Sequence, residues 1–238
     1  MQSGECMDLI EQMLADETIV SVYDEIDSKN QTMSSHGMNH VKGALLIATE
    51  IGKLLHFSKR EMLMLQVGEI LHDIGQVDGR ENHQHKSAVF AKNYLEEQGV
   101  FSKEEIEIIC SAIETHDDFQ THDRLDSNIA WVVNVADKLD FSKTRLDSTY
   151  LERFSYSNSE DIERLDFYLN DNVFKIVIRV IENPQIISKE SLFNRNLTCK
   201  AFTNFKAFCE HFGFVPELYL EDEKLDLNEI NKSCMLDR

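Results

Sequence analysis

Histidines and aspartates are the residues of this 238-residue chain whose types and spacing suggest chemistry. Six of its nine histidines fall at predicted helix ends, or in loops beside them, within the first half of the chain: His36, His40, His72, His83, His85 and His116. Neutral imidazoles are common metal ligands, and the facing helices of a bundle can bring such side chains into one cleft. The spacing alone does not show that they meet, so a shared metal site is an expectation.

The dipeptide His-Asp occurs three times, but only His72-Asp73 stands at the end of a long apolar helix, directly before Ile74-Gly75. An imidazole and a carboxylate that emerge together from a helix end can bind one ion, and the two oxygens of Asp73 can bridge two ions. A structural interpretation is equally open, in which Asp73 is a turn residue and His72 interacts with the negative end of the helix.

A second carboxylate, Asp137, lies within a predicted apolar helix. Burying it without a partner would cost on the order of several kcal/mol, so a cation is expected near it. The neighbouring Lys138 does not face it, because adjacent helical residues point in different directions. Either a distant Arg or Lys or a metal ion must therefore balance this charge.

Apolar residues at helical spacing predict a bundle over roughly the first 150 residues. The predicted helices cover 41–55, 58–75, 88–99, 102–116 and 129–139, and the last is apolar enough to be the most central. Ser58 with Glu61, and Ser102 with Glu105, are capping-box signatures that start two of these helices. Gly75 and Gly99 are predicted helix ends.

The spacing of apolar residues changes to two after residue 150, which is typical of strands. The pattern predicts a β-hairpin over 165–180, a helix over Ser188–Phe212 and a strand over Val215–Leu220, with an aromatic row at 202, 205, 208 and 212 in the core. The predicted fold class is mainly α, a helical bundle over 1–152 followed by a small α+β domain of ββαβ type over 153–238.

The composition excludes several classes of partner. The chain has 24 Lys and Arg against 43 Asp and Glu, a formal net charge of -19, which opposes binding to long nucleic acid or to an anionic membrane surface. No stretch approaches the ~18 apolar residues of a membrane span. The five cysteines include no CxxC motif, which favours a reducing compartment. We therefore expect a cytoplasmic protein.

In order along the chain, these motifs resemble the HD-domain superfamily of metal-dependent phosphohydrolases. The resemblance rests on His40 in His36-Gly37-Met38-Asn39-His40-Val41, on Leu71-His72-Asp73-Ile74-Gly75, on a histidine within 82–88, on His116, and on Asp137 in Val-Ala-Asp-Lys-Leu-Asp. It covers about residues 30–150 and implies the helical HD fold for that segment. We recognise no family in residues 155–238.

The resemblance implies a set of metal ligands. A first divalent ion would be bound by His40, His72, Asp73 and Asp137, and Asp73 would bridge to a second ion bound by His116 and by His83 or His85. His83 is preferred because it stands four residues before Ser87, and in the family the histidine usually stands at this distance before a small residue. His36 is expected to line the cleft or to support one of the ligands from outside, rather than to bind the ion. Nitrogen and oxygen ligands without thiolate suit Mn, Fe, Zn, Co, Ni or Mg.

The implied activity is hydrolysis of a small phosphate ester, nucleotide or phosphodiester by a metal-activated water. Besides His72 and Asp73, the predicted catalytic residues are Lys138, which can bind phosphate, and Glu69, which can orient an imidazole or donate a proton. Glu114 is an alternative to Glu69. We expect a small phosphorylated substrate, no long nucleic acid, no membrane, and a homodimer as one role of the second domain.

Two other functions stay open on the sequence. One is a nucleotide-binding sensor, and the other is a di-iron oxygenase, because some HD-domain proteins bind iron and activate O2. The cyclic-dinucleotide phosphodiesterase branch is less favoured, since its Gly-Tyr-Pro signature is absent after His116.

Overall fold

The computed structural model describes residues 3–29, 35–118, 122–141, 161–182, 184, 187–193 and 196–230. They divide into two compact units, one ending at Asp137 and the other beginning at Lys138. The predicted domain boundary at 152/153 lies outside the described residues.

The first unit is helical. Its helices are α1 (Ser3–Ala15), α2 (Glu17–Lys29), α3 (Met38–Leu54), α4 (Lys59–Leu71), α5 (His83–Gln98), α6 (Lys103–Thr115) and α7 (Asn128–Leu139), whose last two residues belong to the second unit. A 3-10 helix, Ile74–Asp78, connects α4 to α5. Helix α4 packs against α1, α3, α5 and α6, so its carboxyl end lies deep in this unit. Every residue from Ile129 to Leu139 is buried, as its apolar sequence predicts.

Both predicted capping boxes are present. Ser58 and Ser102 each accept a hydrogen bond from the backbone of the glutamate three residues later, and that glutamate accepts one from the serine backbone at 2.8 Å. The amino ends of α4 and α6 are also joined, because Arg60 donates two 2.6 Å hydrogen bonds to Glu105. Glu105 therefore caps its own helix and also joins α6 to α4.

The Arg60–Glu105 pair predicts a pH-dependent contribution to stability. Its hydrogen bonds lower the pKa of Glu105 from 4.5 to about 2. The contribution is therefore complete above about pH 4.5 and is lost as the pH falls towards 2. We expect Glu105→Gln to lower the free energy of unfolding by about 1–2 kcal/mol near neutral pH and by progressively less in acid. Urea unfolding across this pH range tests it, with the exposed Glu107→Gln as the control; a pH-independent difference would contradict it.

Gly75 has a different role from the predicted one. Helix α4 ends at Leu71, and Gly75 lies inside the 3-10 helix rather than at a helix end. A Cβ at this position would lie 2.5 Å from both the His83 carbonyl oxygen and the Ser87 backbone nitrogen. The Gly75 backbone nitrogen also donates to Ser87 Oγ at 2.9 Å. The glycine is needed because α5 approaches this backbone closely.

The second unit contains a four-stranded sheet. Its elements are β1 (Ile162–Asn170), β2 (Val173–Val180), α8 (Lys189–Phe193), α9 (Asn196–Phe212), β3 (Val215–Leu220) and β4 (Glu223–Leu225). The strand order is β1-β2-β3-β4, with β2 and β3 parallel and the other pairs antiparallel. The predicted ββαβ order is confirmed, but β4 was not predicted, and the helix predicted over 188–212 is two helices.

Aromatic side chains form the core of this unit. Phe174 on β2 makes edge-on contacts with Phe205 and Phe208 on α9, at ring-centroid distances of 5.8 and 5.5 Å. Phe202, one turn earlier on α9, is also fully buried. Phe202, Phe205 and Phe208 are therefore core, as predicted, whereas Phe212 is only half-buried. With its four-stranded sheet, the chain is mainly α.

Two further features bear on the sequence expectations. Cys199 is disulfide-bonded, whereas Cys110 and Cys209 are free thiols. The reducing compartment predicted from the cysteine pattern stays a prediction. Within the described ranges, no helix combines the length and the hydropathy of a membrane span.

Candidate metal centre

Seven buried residues of the first unit converge on one cluster through their side chains, and none of the residues is more than 6% exposed. They are His36, His40, His72, Asp73, His83, His116 and Asp137. They come from the segment before α3, from α3 itself, from the carboxyl ends of α4 and α6, from the start of α5, and from α7.

Three of the imidazoles are fixed in the same way. His72 and His116 directly follow α4 and α6, and His83 begins α5. In each, Nδ1 bonds the carbonyl oxygen three residues earlier, at 2.8 Å for His72, 2.6 Å for His116 and 2.9 Å for His83. A carbonyl only accepts, so Nδ1 carries the proton and Nε2 points its lone pair into the cluster. Hydrogen bonds of this kind orient the histidine ligands of metal sites.

The two oxygens of Asp73 divide the cluster into two groups. The Oδ1 group consists of Asp73 Oδ1, His83 and His116, whose Nε2 atoms lie 3.3 and 3.4 Å from that oxygen. The Oδ2 group consists of Asp73 Oδ2, His36, His40, His72 and Asp137. In the Oδ2 group, His36 Nδ1 is 2.8 Å, His72 Nε2 3.5 Å and His40 Nε2 3.7 Å from Oδ2. Asp73 thus contacts both halves of the cluster.

Asp137 completes the Oδ2 group. Its Oδ1 lies 3.1 Å from His40 Nε2 and 3.8 Å from His72 Nε2. The two imidazoles are themselves 3.2 Å apart between their Nε2 atoms. The carboxylate that the sequence places in an apolar helix therefore faces imidazoles.

The donor atoms fit a divalent metal ion. His83 Nε2 and His116 Nε2 are 3.2 Å apart and both Nδ1 atoms bond carbonyls, so the two Nε2 atoms approach this closely only with a proton or a metal ion between them. A metal ion would take the place of that proton. Two neighbouring ligands of one ion, with bonds of ~2.0–2.2 Å, lie about 3 Å apart. The distances in both groups are of this size.

The charges of the cluster also favour a cation. Burial alone lowers the pKa of His72, but the carboxylates of Asp73 and Asp137 outweigh it and raise the pKa to about 10, so the Nε2 that would bind an ion carries a proton when no ion is bound. Burial raises the pKa of Asp73, yet His72 and His36 together with hydrogen bonds hold it well below 3.8. Asp73 is thus held as a carboxylate, and the site attracts positive charge.

Part of the first unit matches a known protein family. Residues 37–142 match the family model described as HD domain. This segment is an HD domain. The match does not reach the four-stranded sheet, and no curated protein matches the chain. Among solved structures, the chain is similar to a predicted HD superfamily hydrolase from an uncultured Thermotogales bacterium. The two are 18% identical, with a TM-score of 0.44, over 61% of this chain and 86% of the other.

Of the two histidines that the sequence left as alternatives, His83 belongs to the cluster and His85 does not. His83 contacts Asp73 and His116, whereas the His85 side chain is 65% exposed and lies 3.3 Å from Glu114 Oε1. Glu114 therefore pairs at the surface and does not orient a residue of the cluster. His122 also lies outside the cluster, stacked on Trp131.

Glu69 and Lys138 occupy different surroundings in the HD domain. Glu69 is fully buried, and its Oε2 lies 3.7 Å from His72 Nδ1, on the side of the ring away from the cluster. This position suits orientation of His72 and not contact with a leaving group.

Lys138 directly follows Asp137 and is 9% exposed. Its predicted role in phosphate binding stays a prediction.

Several supporting residues escaped sequence analysis. Asn134 Nδ2 donates to the carbonyl oxygens of His116, at 2.9 Å, and Asp118, at 2.5 Å, and so ties the end of α6 to α7. Gln76 Nε2 lies 3.1 Å from His36 Nδ1. Tyr23 Oη donates to the Ile70 carbonyl at 2.7 Å, just before His72. For Asn134 the sequence offered one indication, because it precedes Asp137 by nearly one helical turn and so lies on the same face of α7.

Proposed function

We propose that this protein is a metal-dependent HD-type phosphohydrolase, a phosphatase or phosphodiesterase that acts on a small phosphorylated substrate such as a nucleotide. The observation that carries the proposal is the position of Asp73. One carboxylate faces imidazole nitrogens from both of its oxygens, which is the arrangement expected of a bridging ligand between two ions.

The donors divide between two ions. Asp73 Oδ2, His40, His72 and Asp137 would bind one, and Asp73 Oδ1, His83 and His116 would bind the other. The absence of thiolate among these donors suits Mn, Fe, Zn, Co, Ni or Mg. A divalent ion in such a site polarises a phosphoryl oxygen and lowers the pKa of a bound water.

The chain itself supplies orientation and charge. The carbonyls that bond Nδ1 of His72, His83 and His116 keep these rings from turning when a ligand exchanges. Glu69 packs behind His72 and adds negative charge there. We propose Lys138 as a phosphate-binding residue, because it adjoins Asp137 in the sequence.

The charge of the chain favours a small substrate. A net charge of -19 repels a long polyanion, whereas bound metal offsets this repulsion for a single phosphate group. We therefore propose a phosphate ester or mononucleotide rather than long nucleic acid.

The test is metal content together with turnover. The protein is stripped with chelator, reloaded with each candidate metal, and assayed against nucleoside mono-, di- and triphosphates, cyclic nucleotides and simple phosphate mono- and diesters. We expect up to two ions per chain and hydrolysis of at least one compound. Nucleotide binding without turnover under every metal would contradict the proposal in favour of a sensor. O2 consumption by an iron-loaded form would contradict it in favour of an oxygenase.

His83 and His85 provide a matched pair for the Oδ1 group. We expect His83→Ala to lower the metal content by one ion per chain, because the Oδ1 group loses one of its two imidazoles. His85→Ala, at an exposed position two residues away, should leave the metal content unchanged. Elemental analysis of both variants after dialysis measures the difference, and equal metal contents would contradict the assignment of His83.

A further inference from the structure

His36 contacts Asp73 directly, which fits either a residue that supports the ligand Asp73 or a further ligand of the same ion. Its Nδ1 lies 2.8 Å from Asp73 Oδ2, closer than any other imidazole of the cluster to this carboxylate. The side chain is 8% exposed. His36 and His40 meet edge-on at a ring-centroid distance of 5.7 Å, so they do not stack. Together with Asp73 they form a buried group of three side chains whose ligand atoms lie within 4.8 Å of one another, close enough to hold one ion.

The backbone on both sides of His36 is held by α2. Ser35 Oγ donates to Asp27 Oδ1 at 2.8 Å, and the Gly37 backbone nitrogen donates to Ser35 Oγ at 3.1 Å. A Cβ on Gly37 would lie 1.9 Å from Asp27 Oδ2, so only glycine leaves room for that carboxylate. This packing fixes the main chain that carries His36 before α3 begins.

The contacts of His36 make the two groups unequal. With His36, the Oδ2 group offers five protein donors, whereas the Oδ1 group offers three. An ion with five protein donors is nearly enclosed by the chain. An ion with three keeps positions for water and substrate, as in catalytic metal sites.

We propose that His36 is a further metal ligand, binding through Nδ1 the ion that Asp73 Oδ2 and His40 share. The Oδ2 group then binds its ion first and more tightly, and the Oδ1 group holds the exchangeable ion next to the substrate. The proposal deepens the proposed function and rests on it only in requiring that the cluster bind metal.

The variant His36→Asn distinguishes two roles of His36, as a metal ligand and as a hydrogen-bond donor to Asp73. The asparagine Nδ2 occupies nearly the place of the histidine Nδ1 and can still donate to Asp73 Oδ2. If the amide turns instead, its oxygen is a weaker ligand for Co(II) than an imidazole nitrogen. The readouts are the affinity for Co(II), measured by competition with a chelator, and the visible absorption of the Co(II) protein. We expect the affinity for the more tightly bound ion to fall by at least about 10–100-fold, which is the range typical of metalloproteins that lose a residue supporting a ligand. We also expect the absorption bands of this ion to shift. His85→Asn is the control and should change neither.

A second variant guards against misfolding. His36→Gly leaves room for free imidazole, and we expect added imidazole to restore the wild-type Co(II) spectrum. Identical affinity and spectrum in wild type and His36→Asn would overturn the proposal and leave His36 as a positioning residue for Asp73. A wild-type chain that binds no metal would overturn it as well. A Co(II) effect in a protein that hydrolyses no phosphate ester would uphold it and refute only the proposed function.

Discussion

Asp73→Asn is expected to abolish hydrolysis and to remove metal from both groups of the cluster. Asparagine keeps one oxygen, so either the Oδ1 group or the Oδ2 group faces an N–H where it needs an acceptor. The change also removes one of the two negative charges, Asp73 and Asp137, that balance a divalent ion. We expect a fall in kcat of about 10³-fold or more, which corresponds to several kcal/mol of lost stabilisation of the transition state.

The matched control for this variant is Asp123→Asn. Asp123 also follows a histidine, but it is exposed and lies outside the cluster. Its substitution should leave the metal content and kcat unchanged. Retention of two ions per chain in Asp73→Asn would contradict the bridging role of this carboxylate.

Gly75→Ala is expected to destabilise the first unit and to disturb the Oδ1 group together. The new Cβ would lie 2.5 Å from the His83 carbonyl oxygen and the Ser87 nitrogen, and backbone atoms cannot avoid it by changing rotamer. The first turn of α5 must therefore shift, and His83 shifts with it. We expect a loss of about 1–3 kcal/mol in the free energy of unfolding of the metal-free protein. Urea unfolding after chelator treatment measures this loss, and elemental analysis should show one ion fewer per chain.

Gly68→Ala tests whether any added methyl group has this effect. Gly68 lies within α4, and its nearest neighbour to a new Cβ would be Val133 Cγ2 at 3.4 Å, an ordinary contact. Alanine is the better helix former, by up to ~1 kcal/mol. We expect an unfolding free energy equal to or above that of the wild type. If the two variants unfolded alike, the close approach of α5 to Gly75 would not be the reason for the glycine.

The fold was largely predictable because its signals are local. The two capping boxes and the apolar spacing of α3 to α7 depend on residues within one or two helical turns. The turn at Asn170–Asn172 likewise marked the hairpin. Strand β4 was missed because Glu223–Leu225 is too short to show an alternating pattern. The break between α8 and α9 was missed because the apolar spacing runs through both helices.

The candidate site was predictable in its residue types but not in its geometry. Sequence order could name His40, His72, Asp73 and Asp137 through the resemblance, whereas the choice between His83 and His85 depends on which face of α5 turns inward. The contact of His36 with Asp73 was hidden for a similar reason. Its backbone is positioned by the packing of Gly37 against Asp27, ten residues earlier in the chain. Partners brought together by tertiary packing leave no spacing to detect.

The seven side chains of the cluster extend from residue 36 to residue 137, across segments that pack together only in the folded first unit. The unfolded chain cannot assemble them, so metal binds the native state almost alone. Above the dissociation constant, each tenfold rise in free metal then adds about 1.4 kcal/mol per ion to the free energy of unfolding. Metal supply would therefore govern how often the chain opens to proteases, and so its abundance in a cell as well as its activity.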